Sequence, residues 1–202
     1  MNMSHGVTPL RDPQALLDRT MQAWGGRHDL WVFGYASLIW RPEFEAIERR
    51  AAWVHGWHRA LQMRSRVNRG TPECPGLVFA LISGGSCRGF VYRVPKANAS
   101  AELERLWFRE MPTGVYDPAW VRCRTPEGPV VALAFTLTRA SPQHTGKISD
   151  THLVQILRSA SGRYGSTLEY LLETAAALRV HGIRDREIER LEALARRAGL
   201  VA

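Results

Sequence analysis

Lysine is nearly missing from this chain. Of its 27 Lys and Arg residues only Lys96 and Lys147 are lysines, so the formal net charge of +8 is carried almost wholly by arginine. The arginines are scattered, in runs no longer than Arg49-Arg50 and Arg196-Arg197. Proteins that track a nucleic-acid strand present a basic groove interleaved with aromatic platforms. No stretch here has that pattern, and no nucleic-acid partner is expected; weak nucleic-acid binding is an alternative that rests on the charge alone. A basic surface can steer a small anion, or it can reflect only a preference for arginine over lysine.

Cysteine is also scarce. Cys74, Cys87 and Cys123 are an odd set without C-x-x-C spacing, which argues against a disulfide framework or zinc site. His55 and His58 lie three apart, but no Cys or acid completes a ligand set. No apolar run is long enough to span a membrane. Met1 to Arg11 lacks the charged-then-apolar order of a signal peptide. A cytoplasmic protein with no membrane partner is expected. There is no G-x-G-x-x-G, P-loop lysine or G-x-S-x-G, so nucleotide-binding and serine-hydrolase readings have no support. Internal repeats, low-complexity segments and linkers are absent too.

What remains is an ordinary globular composition, 45% apolar with seven tryptophans in 202 residues, enough for one sizeable core. Asp12-Pro13 predicts a helix start and Gly25-Gly26 its end. Leu30 to Ile39 reads as one buried strand with Gly34 inside it. Ala46 to Ser65 reads as one bent strand or two short ones, interrupted at Gly56. Leu77 to Ile82, a turn at Ser83-Gly84-Gly85-Ser86 and Arg88 to Val94 predict a hairpin. A helix follows, opening near Ser100. Val115 to Arg124 and Val130 to Thr138 predict a second hairpin around Pro126-Glu127-Gly128. Helices follow from Ser149. Ser166-Thr167-Leu168-Glu169 is a capping box, and Asp185 opens a last helix that ends at Gly199. The class is α+β, with a mainly antiparallel sheet, an inserted helix and terminal helices. Residues 1–29 are expected to form a helical extension and 30–202 a single domain.

Two segments stand out chemically. Leu103, Leu106, Trp107 and Glu110 fall at i, i+3, i+4 and i+7 and share one helix face. A carboxylate on that face has left bulk water, which favours its neutral form. It also lies in the last turn, where the macrodipole disfavours an anion. Both effects raise the pKa toward the range useful for proton transfer. The alternative is a helix-terminal Glu paired with an arginine. The other segment is Phe33-Gly34-Tyr35-Ala36-Ser37-Leu38-Ile39-Trp40. Small residues at a strand end let a ligand approach the backbone, and successive N–H groups in a bend form a concave anion site. The alternative is a core strand whose small residues accommodate aromatic neighbours.

The same residues carry a resemblance. Val32-Phe33-Gly34-Tyr35-Ala36-Ser37-Leu38-Ile39-Trp40 resembles the V-F-G-Y-G-S-L-I-W segment of the ChaC family of γ-glutamylcyclotransferases. Gly56-Trp57-His58-Arg59, Arg69-Gly70 with Pro75-Gly76, and Gly89-Phe90-Val91-Tyr92-Arg93 resemble the family's next motifs in order. Leu106-Trp107 with Arg109-Glu110-Met111, then Gly114 and Tyr116, resembles L-W-x-R-E-M-x-x-G-x-Y. Ala160-Ser161-Gly162 and Tyr170-Leu171 resemble its last motifs. The resemblance runs from about Trp31 to Leu172.

It implies a small mixed or antiparallel β-barrel flanked by helices, and cleavage of glutathione to 5-oxoproline and cysteinylglycine without metal or cofactor. It places the catalytic carboxylate on Glu110. It places the γ-glutamyl moiety against Phe33, Gly34, Tyr35, Ala36, Ser37, Leu38 and Ile39. Arg69 is a candidate contact for a substrate carboxylate, since guanidinium is a planar bidentate donor; the alternative is a surface arginine. Two positions depart from the family pattern. Ala36 stands where its second glycine is found, and His144 where a substrate-contacting tyrosine is usual. Other γ-glutamyl substrates, or a non-catalytic ligand-binding relative, are the alternatives these departures open.

Overall fold

The computed structural model describes residues 11–201. They fall into two compact units. The first takes in the chain up to His58 together with Leu81–Thr138; the second takes Arg59–Ala80 and the chain from Arg139.

The first unit opens with α1, Pro13–Trp24. Asp12 caps it by accepting the Gln14 N–H at 2.9 Å, and Gly25 ends it in the left-handed conformation (φ 72°). Proline at the first helical position forfeits an N–H that would have had no partner there. Strand β1, Leu30–Gly34, leads into a single helical turn, α2, Ser37–Trp40. Strands β2, Glu48–Ser65, and β3, Gly76–Val94, each begin in one unit and end in the other. Helix α3, Lys96–Glu110, and the hairpin of β4, Asp117–Arg124, with β5, Val130–Thr136, complete the unit.

The strands close into a barrel in the order β1-β3-β2-β4-β5. β1 runs antiparallel to β3 from Leu30↔Val94 to Gly34↔Phe90, and parallel to β5 at Val32↔Leu133. That last pairing shuts the ring, so the barrel has no open edge. Phe33, Val91, Cys123, Ala132, Leu133 and Ala134 are fully buried. The class is therefore α+β, as the sequence pattern predicts, and the closed barrel is the one the family resemblance implies.

Three predicted elements change. The hairpin at Ser83–Ser86 does not form, and β3 runs through it without reversing. Gly84 and Gly85 take φ values of 102° and 71°, which bend the strand. His58 packs over the bend, its Nδ1 2.9 Å from the Gly84 carbonyl. One end of β3 can then pair with β1 while Leu81 pairs with Thr136 of β5. The strand predicted over Leu30–Ile39 stops at Gly34. The helix predicted from Ser100 begins at Lys96, with Asp29 Oδ1 accepting the Lys96 N–H at 2.9 Å.

Helix α1 packs on α3 within this unit. The Trp107 indole donates to the Pro13 carbonyl at 2.8 Å. The Arg11 guanidinium donates to the carbonyls of Gly114, Val115 and Tyr116 and pairs with Asp117.

The second unit is helical: α4, Asp150–Ser159, α5, Thr167–Val180, and α6, Arg186–Arg197, with a two-stranded ribbon of β6, Ser161–Gly162, and β7, Gly165–Ser166. Ser149, Ser166 and Asp185 cap the three helices, and Ser166 with Glu169 forms the predicted capping box. Leu157, Leu171 and Leu191 join their buried faces. The Leu77 N–H donates to Thr167 Oγ1 at 3.0 Å, fastening the start of β3 to α5.

Candidate active site

Glu110 is the last residue of α3. Leu103, Leu106 and Trp107 precede it on the same face and are buried, and its own side chain is only 16% exposed. Trp107 meets the ring of Phe135 from β5 edge-on at 5.6 Å, so the surroundings are apolar. Burial pushes the Glu110 carboxyl above the usual carboxylate range. The Arg109 guanidinium, with Nε 3.1 Å from Oε1, pulls the other way, and the Glu43 carboxylate adds to the rise. The two alternatives for this residue therefore coexist. Glu110 is on an apolar face, and it is paired with an arginine.

The strand end is a bend built by close packing. A Cβ on Gly34 would lie 2.9 Å from the Tyr92 ring and 3.0 Å from the Leu38 Cβ, so only glycine fits. Gly89 is equally constrained: its Cβ would meet the Gly34 carbonyl at 2.3 Å. Beyond Gly34 the chain coils, with the Ile39 N–H donating to the Ala36 carbonyl at 2.9 Å. Two phenols pin the bend. Tyr35 donates to the Phe135 carbonyl and Tyr92 to the Leu38 carbonyl, both at 2.8 Å and both buried. Burial pushes the Tyr92 phenol up to about 12, so it stays a donor across the working pH range. Each such bond contributes about 1 kcal/mol. Ala36 has φ −141°, so this position makes no demand for left-handed backbone. Phe33, Tyr35, Ala36, Leu38 and Ile39 are buried, and Ser37 is half-buried.

Arg69 and His144 belong to the second unit. Arg69 is buried, its guanidinium 5.0 Å over the Tyr170 ring, within 3.4 Å of the Ser166 carbonyl and 3.7 Å of Glu173. It is not a surface arginine. The His144 ring is held at both nitrogens, Nδ1 3.2 Å from the Arg139 carbonyl and Nε2 3.1 Å from the Gln62 side-chain amide. Both partners are oxygens, Gln62 contributing its Oε1, so whichever ring nitrogen bears the proton has an acceptor to donate to. Met63 and His144 form a β-bridge, which seats the ring against β2.

Residues that sequence reasoning passed over are Tyr92, Arg109 and Glu43. Tyr92 and Arg109 lie inside motifs already singled out. Glu43 left no trace beyond its place after Arg41-Pro42. Among the described residues no group of three or more His, Cys, Asp or Glu is arranged to hold a metal ion. None of the described helices is long and apolar enough to cross a membrane. The three cysteines are free thiols.

A bent strand end and a buried helix-terminal carboxyl, both from the first unit, suit proton transfer on a bound small molecule. A family model described as ChaC-like protein matches residues 30–198. The chain belongs to the ChaC family. It is 35% identical to the glutathione-specific γ-glutamylcyclotransferase of Escherichia coli (strain K12), over 77% of this chain and 68% of that protein. It is 32% identical to the human glutathione-specific γ-glutamylcyclotransferase 1, over 78% of this chain and 73% of that one. A crystal structure of a yeast γ-glutamyl cyclotransferase specific to glutathione superposes with a TM-score of 0.75 at 22% identity, covering 86% of this chain and 96% of the other. That likeness establishes the shared barrel fold.

Proposed function

We propose that this ChaC protein cleaves glutathione into 5-oxoproline and cysteinylglycine, with Glu110 moving the proton. The observation that carries the reading is the Glu110 carboxyl, buried at the end of an apolar face with its pKa raised. Its relatives' specificity for glutathione supports the choice of substrate.

The reaction needs one group that takes a proton and gives it back. The substrate's α-amino nitrogen attacks its own γ-carbonyl carbon and closes a five-membered ring. An ammonium has no lone pair, so a base must first remove a proton. The leaving cysteinyl nitrogen must gain a proton as the C–N bond breaks, or it would depart as an amide anion. A carboxyl titrating closer to neutral pH performs both transfers better than an ordinary one. The attack is intramolecular, so holding the glutamyl chain folded supplies much of the acceleration. Backbone groups from Gly34 to Ile39 are the proposed cradle for that chain, and N–H groups beside the γ-carbonyl would stabilise the developing oxyanion. Phe33, fully buried in β1, immediately precedes this cradle. Arg69 remains a candidate for a substrate carboxylate on condition that its guanidinium gives up protein partners, and the same condition applies to His144.

A second reading is turnover of other γ-glutamyl amines or amino acids. It draws on His144, an imidazole fixed by its own unit at the position of a family tyrosine. The deciding experiment is release of 5-oxoproline from reduced glutathione, with cysteinylglycine as coproduct, beside Glu110→Gln. Equimolar products that vanish in the variant support the reading. Undiminished activity in a folded Glu110→Gln protein overturns the role of Glu110. Release only from other γ-glutamyl compounds selects the second reading, and release from none of them points to a non-catalytic binding protein.

A further inference from the structure

The chain leaves α2 through Arg41-Pro42-Glu43, and Glu43 is unusual. Among the described residues it is the one other than glycine with left-handed backbone, at φ 54°. Such a conformation strains a residue that carries a Cβ and is kept where surroundings over-determine it. The surroundings here are two arginines. Arg41 Nε bonds one carboxylate oxygen of Glu43, and Arg109 Nη1 stands 3.2 Å from the other. Arg109 Nη1 also donates to the carbonyls of Arg41 and Pro42. Its Nε faces the opposite way, 3.1 Å from Glu110 Oε1. One guanidinium thus stands between two carboxylates, Glu110 on its own helix and Glu43 from the segment after the strand end. Its side chain is only 15% exposed, so the position is well defined.

We infer that Glu43 is a positioning residue for Glu110, holding the outer face of Arg109 so that the guanidinium is shared between two carboxylates. The inference rests on the proton-transfer role of Glu110 proposed above. The charges bearing on the Glu110 carboxyl are Arg109 and Glu43. Arg41 is tied to the cluster through Glu43. From α1, packed on the same helix, the contact is the Pro13 carbonyl on Trp107, while Arg11 is committed to Asp117 and the chain after Gly114. From β5 the contact is the apolar ring of Phe135.

Removing the Glu43 charge has two effects of the same sign. A negative neighbour disappears, and Arg109 is released to pair fully with Glu110. Both favour ionised Glu110 and make it a weaker base. Glu43→Gln keeps the size and an acceptor oxygen but not the charge. Its acid limb in kcat/KM against pH should move to lower pH, with the plateau roughly three- to tenfold lower. Arg109→Gln should move the limb the opposite way. Glu43→Asp, which tolerates left-handed backbone, should recover part of the wild-type profile.

The test is the pH–rate profile of glutathione cleavage for these variants, with Tm measured alongside and Glu110→Gln as reference. Opposite shifts for Glu43→Gln and Arg109→Gln support the inference. If Glu43 merely closes a turn, Glu43→Gln will leave the limb in place. Glu43→Gly, which accepts the same φ freely, will then match wild type in both profile and Tm. That pattern, with Glu110→Gln inactive, overturns the inference and leaves the function standing. An active Glu110→Gln protein would instead remove the premise.

Discussion

Two glutamates at opposite helix ends behave in opposite ways. Glu110 closes α3 and Glu169 stands in the first turn of α5. Glu169 is exposed and accepts the Ser166 N–H at 2.7 Å. That bond, with help from the Ser166 hydroxyl and Arg69, holds its carboxyl below the usual range. Glu110 ends a helix face on which Leu106 and Trp107 are buried, and desolvation pushes its carboxyl up. The helix termini reinforce the contrast, because unpaired N–H groups favour an anion at one end and unpaired carbonyls disfavour it at the other. A depressed pKa means ionised Glu169 stabilises the fold above its unfolded pKa, and this is lost as pH falls through its folded pKa. A raised pKa means the reverse. The protonated Glu110 contribution is complete below the unfolded pKa and is lost as pH rises through the folded value. One carboxylate serves folding, and the other is kept at the expense of folding.

The strongest break of this comparison is Glu110→Gln. Turnover of glutathione should fall by about 10²–10⁴-fold, while Tm at neutral pH stays level or rises, since a neutral amide does not have to ionise. Glu169→Gln should do the opposite, leaving turnover intact and lowering Tm at neutral pH. Its deficit against wild type should shrink as pH falls through the folded pKa of Glu169. Parallel kinetics and melting at several pH values check both. A Glu110→Gln protein much less stable than wild type would show that the carboxyl is structural after all.

Arg69→Lys addresses the second unit. Lysine keeps the charge but cannot lie flat over Tyr170 while reaching the Ser166 carbonyl. A loss of about 1–3 kcal/mol is expected from a buried group left badly paired, read by denaturant unfolding. If Arg69 also meets a substrate carboxylate, KM should rise beyond what the loss of folded protein explains. An unchanged KM in the folded fraction would remove Arg69 from the substrate site. Next comes Ser166→Ala, which removes the cap. It should cost about 1 kcal/mol, or roughly 2–4 °C in Tm for a chain of this size, with turnover per folded molecule unchanged.

These sites differ in how far the sequence announced them. Asp12, Ser149, Ser166 with Glu169, and Asp185 were all legible, because a cap is a contact within three residues. Glu110 was legible for the same reason, since i, i+3, i+4 and i+7 fix a helix face without any partner. The bend at Gly84-Gly85 was not. Two glycines permit a reversal or a bulge, and only pairing with β1 and β5, distant in sequence, selects the bulge. Position 34 must be glycine because Tyr92 and Leu38 crowd it, again a matter of partners. Barrel closure depends on a parallel contact between Val32 and Leu133, which periodicity cannot show. The Arg109–Glu43 pair escaped notice because it joins a helix end to a loop over sixty residues away, and a left-handed glutamate leaves no mark in composition.

The smallest expected effect belongs to Ala36→Gly, and it sharpens what the strand end is for. Alanine here needs no left-handed backbone, since φ is −141°. Glycine costs about 0.5–1 kcal/mol through the freedom it adds to the unfolded chain. A drop in Tm of a few degrees is expected. Ala36 is buried where the chain leaves β1, at the proposed cradle, so the substitution tests whether its methyl limits that site. Activity on glutathione should stay equal or rise, by less than the roughly tenfold expected from removing a methyl that blocks the pocket. A larger gain would identify the methyl as a barrier to the γ-glutamyl chain. A large loss would mean that the bend between Tyr35 and Tyr92 has been built around that methyl, so that shape at this point, and not backbone access, governs the site.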